Sequence, residues 1–262
     1  MYEMQGGGVE NRDDLWPPFG RDLPQRGNLP RRPPSGRDAP LSRQEIVRAA
    51  VMVADAEGAE AVNMRRISRE LGVGTMSLYW HVADKQQLLD LMLDEVEGED
   101  EAVERSGDWL DDLGRRARAR RAGLLRHRWV MDFIGGRPPL GPNTLSALER
   151  DMALLDGVAI DTRTALDVLS TVDTYVLGAV LREMREMRSE QDQEQSGLDA
   201  DEIRAGMLQW RTRLEQSGLF PRFLRIFEED IDPDAPETRD DRFEFGLRCV
   251  LDGIAARVEG RA

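Results

Sequence analysis

Apolar residues recur at helical spacing over most of the chain after residue 40, and from Trp109 to the end there is no convincing strand pattern. The first helix is specified locally, because Ser42 and Glu45 make an S-x-x-E capping box and an apolar stripe follows from Ile46 to Ala54. Gly58 is expected to end this helix. The pattern predicts an all-α fold.

A helix-turn-helix is predicted next along the chain. A short second helix fits Arg65 to Leu71, and Gly72 suits the left-handed position that closes a helix at its C-terminal end. A third helix fits Thr75 to His81, and Asp84 with Gln87 resembles a second capping box that opens a fourth helix. Two short helices around a glycine turn, braced by a longer helix, make a helix-turn-helix.

The rest of the chain is also expected to be helical, except for its first 40 residues. Six further helices are predicted at Trp109–His127, Asn143–Leu155, Asp161–Arg188, Asp201–Gln216, Pro221–Glu228 and Thr238–Val258. The polar stretch from Ser189 to Gly197 interrupts the pattern and predicts a mobile loop. The predicted organisation is a flexible Pro, Arg and Gly-rich arm over 1–40, a helix-turn-helix domain over 41–90 and a helical domain over 91–262.

Two of the predicted helices carry wide apolar faces. One face consists of Leu166, Leu169, Val172, Val176 and Val180, and the other of Phe243, Leu247, Val250, Leu251, Ile254 and Val258. Gly246 and Gly253 would permit another helix to approach the second face closely. Burial inside one protomer and pairing with a second protomer explain either face about equally well.

Charge is distributed unevenly along the sequence. The net charge is −14, of which residues 91–262 carry −13 and residues 41–90 only −1. Residues 21–37 hold five arginines against the single Asp22, immediately before the first predicted helix. An anionic partner would therefore be met at the N-terminal end, because binding of phosphates depends on the local field more than on the total charge.

Composition and motifs exclude several classes of protein. The single cysteine, Cys249, excludes a disulfide framework within one chain, and no apolar run approaches the length of a membrane span or a secretory signal. We therefore expect a cytoplasmic protein with no membrane partner. No phosphate-binding loop, metalloprotease motif or nucleophile elbow is present, and His127 is better explained as a structural residue than as a general base. The sequence predicts no catalytic site, no metal site and no cofactor.

The helix-turn-helix segment presents residues that suit nucleic-acid binding. Hydroxyl groups can donate to phosphates or base edges, a methionine can contact a thymine methyl group, and a lysine can neutralise a phosphate. The candidates are Arg65, Thr75, Met76, Ser77, Tyr79, His81 and Lys85. The spacing of these residues alone leaves an alternative, in which they form an ordinary polar surface.

The same segment carries a resemblance to a known family. Residues 71–73 (LGV) and 77–90 (SLYWHVADKQQLLD) closely resemble the recognition region of the tetracycline-repressor (TetR) family of bacterial transcription regulators. Segments 123–128 (GLLRHR), 136–138 (GRP) and 243–253 (FEFGLRCVLDG) resemble the C-terminal domain of the tetracycline repressors. The resemblance covers nearly everything after residue 40.

The resemblance implies an all-helical homodimer that pairs through a four-helix bundle, and it favours both apolar faces as parts of this dimer interface. It also implies a palindromic DNA operator that is read in two major-groove segments about 34 to 36 Å apart. It places the family's DNA contacts on the seven candidates named above. Thr75-Met76-Ser77 departs from the tetracycline repressors' Gln-Pro-Thr, so the operator sequence is not expected to be shared. Independently of the family, we expect Arg31, Arg32 and Arg37 of the arm to help hold DNA, as homeodomain arms do.

The resemblance also implies a pocket for a small-molecule effector. In the tetracycline repressors a histidine three residues before the Arg-Pro pair helps to hold the drug's magnesium ion, and here Ile134 stands three residues before Arg137. Isoleucine cannot bind a metal, so metal-chelated tetracycline is disfavoured. The candidate apolar walls are Trp109, Trp129, Phe133, Met152 and Tyr175.

Two arginines one turn apart, Arg116 and Arg120, align with the helix that supplies drug contacts in those repressors. Two interpretations stay open. They pair with acidic residues at the surface of the helical domain, or they face the pocket and receive an anionic group of the effector.

These predictions combine into a one-component regulator, in which an effector releases a dimeric repressor from its operator. An activator, and a helical ligand-binding or enzymatic body that merely carries a helix-turn-helix, are the alternatives.

Overall fold

Residues 41–99, 101–136, 140–195, 200–229, 231–232 and 234–260 are described in a computed structural model of the chain. Arg31, Arg32 and Arg37 of the predicted arm, and Arg137, lie outside these residues. The described chain is helical and contains no strand. Its ten α-helices are α1 (Arg43–Glu57), α2 (Met64–Glu70), α3 (Thr75–Leu78), α4 (Lys85–Glu97), α5 (Trp109–Arg126), α6 (Pro142–Ala153), α7 (Thr162–Gln195), α8 (Ala200–Ser217), α9 (Pro221–Glu228) and α10 (Arg239–Glu259).

The capping box that predicts α1 is formed in the structure. Ser42 Oγ accepts a hydrogen bond of 3.1 Å from the backbone N–H of Glu45, and a Glu45 carboxylate oxygen accepts one of 2.8 Å from the backbone N–H of Ser42. The helix buries its apolar stripe, including Ile46 and Ala50, and ends at Gly58 with φ of 85°. Local residues therefore determine both ends of α1.

The helix-turn-helix has the predicted order, with a shorter third helix. The Asn63 side chain caps α2 by accepting from the Arg66 N–H at 2.9 Å, and Gly72, with φ of 63°, closes the turn. The helix α3 was expected to reach His81 but ends at Leu78, because the chain then tightens into turns in which the N–H groups of His81 and Val82 both donate to the Leu78 carbonyl. Leu78 and Val82 are buried and anchor this turn in the hydrophobic core.

The helix α4 joins the N-terminal head, made of α1 to α4, to the helical body that follows. It continues through residue 90, the predicted domain boundary, and ends at Glu97. It packs on α1 at one side and on α6 at the other. The head and the body therefore share one helix.

The helices α5, α7 and α10 form the core of the body. The prediction of a mobile loop from Ser189 to Gly197 is wrong as far as Gln195, because α7 continues to that residue; residues 196–199 lie outside the described part. Glutamate and glutamine favour helices although they are polar. In addition, the Glu190 carboxylate accepts a 2.6 Å hydrogen bond from Arg239 of α10.

The two apolar faces, which the resemblance favours as a dimer interface, have most of their buried side chains inside one protomer. Val172, Val176 and Val180 of α7, and Phe243, Leu247 and Ile254 of α10, are buried in the described chain. Gly246 is needed within the protomer, because a Cβ atom there would come within 2.7 Å of Tyr175 Cε2. A Cβ atom at Gly253 would meet nothing within 4 Å. The exposed apolar side chains of these two helices are instead Leu166, Leu181 and Phe245.

Among the described helices, one segment, Thr162–Asp192 of α7, is long and apolar enough to cross a membrane by length and composition alone. The expectation that no segment reaches this length is therefore wrong on that criterion. In this structure α7 packs on α5 and α10 and contributes the buried valines to the body's core.

Candidate nucleic-acid interface and effector cavity

The exposed residues of the helix-turn-helix surround α3. Met76 is 69% exposed and Tyr79 39% exposed, while Arg65 and Lys85 are exposed at the starts of α2 and α4. Thr75, Ser77 and His81 are only partly exposed. The Thr75 hydroxyl lies 3.0 Å from the Ser68 hydroxyl, which ties the start of α3 to α2. Six of the seven predicted contact residues therefore lie between the start of α3 and the start of α4, and Arg65 lies on α2, which packs on α3.

The loop after α3 is braced by the first helix of the head. Arg43 Nε donates to the His81 carbonyl oxygen at 3.2 Å. The side chain of Asp84 then caps α4 by accepting from the Gln87 N–H at 2.9 Å, and Gln87 accepts from the Ala83 N–H at 2.6 Å. The start of α4, where Lys85 lies, is therefore held in a fixed position relative to α3.

A cavity of about 470 Å³ lies in the body between α4, α5, α6 and α7. This volume is within the range of sites that hold drug-sized molecules, about 300 to 1,000 Å³. Most of its wall is apolar. The apolar wall consists of Leu93, Leu113, Val130, Phe133, Ile134, Ala147, Leu148, Leu166, Leu169 and Val172.

Four of the nine predicted effector residues line this cavity: Arg116, Arg120, Phe133 and Ile134. The structure places Trp109, Trp129, Met152 and Tyr175 elsewhere, and Arg137 lies outside the described residues. Two of these residues have partners that explain their positions. The Trp129 indole N–H donates to Asp55 of α1 at 2.8 Å, and the Tyr175 hydroxyl donates to the Phe243 carbonyl of α10 at 2.7 Å.

The two cavity arginines combine both interpretations that the sequence left open, because they face the cavity and are already paired with carboxylates. Arg116 Nε lies 2.9 and 2.8 Å from the two carboxylate oxygens of Asp151. Arg120 Nη1 donates to Glu97 at 2.8 Å, and its Nε lies 3.5 Å from Asp173. The acidic partners come from α6, α4 and α7, between 23 and 53 positions away in sequence, and sequence spacing gave no signal for them.

The Arg116–Asp151 pair is electrostatically tight. Burial lowers the pKa of Arg116, but the hydrogen bonds and charge of Asp151, together with the charges of Asp173 and Glu97, raise this pKa above its ordinary value. The guanidinium therefore stays charged, and a pairing with both oxygens leaves Asp151 little capacity for a ligand.

Three carboxylates near the C-terminal end of α4 hold three different parts of the body. Asp94 accepts from the backbone N–H of Thr144 at 2.9 Å, at the start of α6. Glu97 binds Arg120 of α5, and Glu99 lies 3.1 Å from Nε2 of His127. Because Asp55 of α1 lies 2.8 Å from Nδ1 of the same ring, His127 links the head to the body and has the structural role expected of it.

Comparisons with known proteins agree with this architecture. Residues 46–92 match the profile "Bacterial regulatory proteins, tetR family", and residues 103–258 match "Tetracyclin repressor-like, C-terminal domain". The chain belongs to the TetR family. The family match covers both the head and the body, so the resemblance noted in the sequence and the all-α fold are confirmed.

Relatives in this family include regulators with assigned names. The transcriptional repressor DrrR1 of Streptomyces coeruleorubidus is 34% identical over 233 residues, which cover 88% of this chain and 83% of the relative. The class A tetracycline repressor from transposon 1721 of Escherichia coli is 29% identical over 220 residues, covering 83% of this chain and 92% of that repressor.

Solved structures of the TetR family include the regulator ActR of Streptomyces coelicolor. Its apo structure has a TM-score of 0.66 and 30% identity, and covers 86% of this chain and all of its own. The ActR complex with actinorhodin has the same TM-score and coverage, with 33% identity. This TetR family member is a transcription regulator, as predicted from the sequence.

Proposed function

We propose that the protein represses transcription from the cytoplasm by binding a palindromic operator as a dimer, and that a small molecule in the 470 Å³ cavity releases it. In this proposal Arg65, Thr75, Met76, Ser77, Tyr79, His81 and Lys85 contact the operator. The arm arginines Arg31, Arg32 and Arg37 add contacts beside it. We assign the chain no enzymatic role.

One observation carries the link between DNA and effector. The helix α4 begins at Lys85, seven positions after the end of α3, and ends at Glu97, in the wall of the cavity. A ligand that binds differently to two positions of α4 will change the population of heads that fit the operator, whereas a ligand with equal affinity for both positions will change nothing. Leu93 and Glu97 are the α4 residues through which a ligand would act.

We propose Phe245 and Leu181 as parts of the dimer interface, since they are 73% and 61% exposed on the two long helices of the body. Exposed large apolar side chains on neighbouring elements are typical of protein interfaces. The buried apolar faces of α7 and α10 support this interface from inside each protomer.

The effector is proposed to be a largely apolar organic molecule of drug size. The structure of ActR in complex with actinorhodin supports a small-molecule ligand for a related protein. Ile134 lies at the rim of the cavity and has no atom that can bind a metal, so we do not extend the proposal to a metal-chelated tetracycline.

The first test is DNA binding. Fluorescence anisotropy of the purified full-length protein, with duplexes tiled across the region upstream of its own gene, should find a near-palindromic site that binds two protomers or a multiple of two. Replacing Lys85 by Ala should weaken binding and reduce the slope of log affinity against log salt by about 1, because one phosphate contact is lost. Met52→Ala is the matched control, since Met52 is 64% exposed on α1. Binding that is weak and independent of sequence at every duplex, or an unchanged salt slope for Lys85→Ala, would contradict the proposal.

A further inference from the structure

The wall of the effector cavity has more carboxylates than guanidinium groups. Its charged side chains, counted over the described lining residues, are Arg116, Arg120, Glu97, Asp151 and Asp173, which leaves an excess of one negative charge. The rest of the wall is mainly apolar. A cavity of this composition favours a ligand that brings a positive charge, because an unpaired charge beside apolar groups is costly.

The excess charge is concentrated on two of the three carboxylates. Asp151 is paired through both oxygens with Arg116, whereas Glu97 and Asp173 share the single guanidinium of Arg120. Asp173 Oδ1 is buried but has no hydrogen bond among the described residues, because Arg120 Nε, its ion-pair partner, lies 3.5 Å away; the Asp173 side chain as a whole is 36% exposed. A ligand with a suitable N–H group would supply the hydrogen bond of ordinary length that this ion pair does not provide.

We infer that the effector carries a basic nitrogen on an apolar body, and that this ammonium group binds Asp173 and Glu97. The inference rests on the effector role proposed above and specifies the chemistry of that site. The ammonium would donate to Asp173 Oδ1 and neutralise the excess charge, while the ring or chain attached to it contacts residues such as Phe133 and Leu169. An anionic effector, the alternative left open by the sequence, would raise the excess from one negative charge to two.

This assignment also gives the effector a direct contact with α4. Glu97 is the last residue of that helix and lines the cavity, whereas Asp94 and Glu99 are engaged with α6 and His127. An ammonium beside Glu97 competes with Arg120, which now holds the end of α4 at 2.8 Å. Occupation of the cavity therefore changes the contact that fixes the head to α5.

The test uses three ligands that share one ring system and differ in charge: 1-naphthylmethylamine, 1-naphthalenemethanol and 1-naphthoate. Isothermal titration calorimetry with the full-length protein should give an affinity for the amine about tenfold above that for the alcohol, and the weakest affinity for the carboxylate. Asp173→Asn should abolish the preference for the amine. The matched control is Asp167→Asn, which removes the same charge from an exposed position on the same helix and should leave the preference unchanged.

Circular dichroism of each variant checks that the helices are intact. Equal affinities for amine and alcohol, a preference for the carboxylate, or an Asp173→Asn variant that keeps the preference would overturn the inference. If none of the three ligands binds at up to about 10 mM, which would detect millimolar dissociation constants, the cavity is not the effector site and the inference falls with it. Operator binding is measured in a separate experiment, so the absence of ligand binding would not contradict the proposed DNA-binding function.

A second readout tests the contact with α4. Saturating amine should lower operator affinity of the wild-type protein, and Glu97→Gln should reduce this response at least severalfold, because its side chain has no charge to attract the ammonium. A response that is unchanged in Glu97→Gln would overturn the role of Glu97.

Discussion

Asp94 of α4, the helix shared by head and body, is expected to be a major stabilising residue. Its side chain is 4% exposed and caps α6 from outside that helix. It accepts from the Thr144 N–H at 2.9 Å, from the Thr144 hydroxyl at 2.9 Å and from the Asn143 N–H at 3.3 Å. Gly141, the residue before α6, has no side chain that could replace this cap, and a Cβ atom there would collide with the Asp94 carboxylate.

The cost of removing this carboxylate can be assembled from its contacts. Loss of a helix N-cap costs about 1 kcal/mol, loss of the hydroxyl hydrogen bond about 1 kcal/mol, and loss of a negative charge at a helix N-terminus about 0.5 kcal/mol. We therefore expect Asp94→Ala to lower the free energy of unfolding by about 2 to 3 kcal/mol. Asp94→Asn keeps one acceptor oxygen and should cost about 1 kcal/mol.

Thermal unfolding followed by circular dichroism at fixed protein concentration measures this effect, since the stability of a dimer depends on concentration. A loss of 2 to 3 kcal/mol corresponds to a fall in Tm of about 5 to 10 °C for a chain of this size. Glu95→Gln is the control, because its partner Arg48 is 64% exposed and such surface pairs contribute less than about 1 kcal/mol. An Asp94→Ala variant within about 0.5 kcal/mol of the wild type would refute the assignment of Asp94 as the cap of α6.

Three further predictions concern packing, pH and assembly. Gly246→Ala should lower the free energy of unfolding by about 1 to 2 kcal/mol despite the better helix propensity of alanine, because its methyl group collides with the Tyr175 ring; an unfolding curve that matches the wild type would contradict this packing. Burial raises the pKa of Asp112, but hydrogen bonds from Ser106 and Arg115 outweigh burial and lower this pKa, so Asp112 stabilises the fold above about pH 4 and loses that contribution as the pH falls through its folded-state pKa. The stability gap between wild type and Asp112→Asn should therefore narrow in urea titrations below about pH 4, and a gap that widens there would be inconsistent with the lowered pKa. Phe245→Arg should shift the protein toward monomer in analytical ultracentrifugation and weaken operator binding with an unchanged helical spectrum, whereas an intact dimer would place the interface elsewhere.

Features set by neighbouring residues could be predicted from the sequence. The capping box at Ser42 and the glycine turn at Gly72 depend on contacts within four positions and have the expected form. Asp84 caps α4 as expected, but the Gln87 side chain accepts from the Ala83 N–H, which is not the reciprocal bond of a capping box. The predicted end of α7 at Arg188 is wrong, because the polar residues that follow include glutamate and glutamine, which are good helix formers, and the helix continues to Gln195.

Only part of the cavity could be predicted from the sequence, because the charged residues in its wall come from distant parts of the chain. Arg116 and Arg120 could be assigned to it by resemblance, whereas Glu97, Asp151 and Asp173 meet them only after folding. Trp129 was expected in the wall because it is large and apolar. Its indole N–H needs an acceptor when buried, and Asp55 of α1 supplies one at the junction of head and body.

The dimensions of α4 have a mechanical consequence. Thirteen residues at 1.5 Å each make a rigid rod of about 20 Å, with Glu97 at one end and Lys85 at the other. If the rod pivots by about 10° at Glu97, its far end travels about 3 Å, several times the tolerance of a hydrogen bond to DNA. In a dimer both α4 helices pivot, and the change in the distance between the two heads is the sum of the two displacements. A displacement at the cavity too small to disturb the body's core is thus sufficient to change the distance between the two heads, so that it no longer matches the separation of the two major-groove segments.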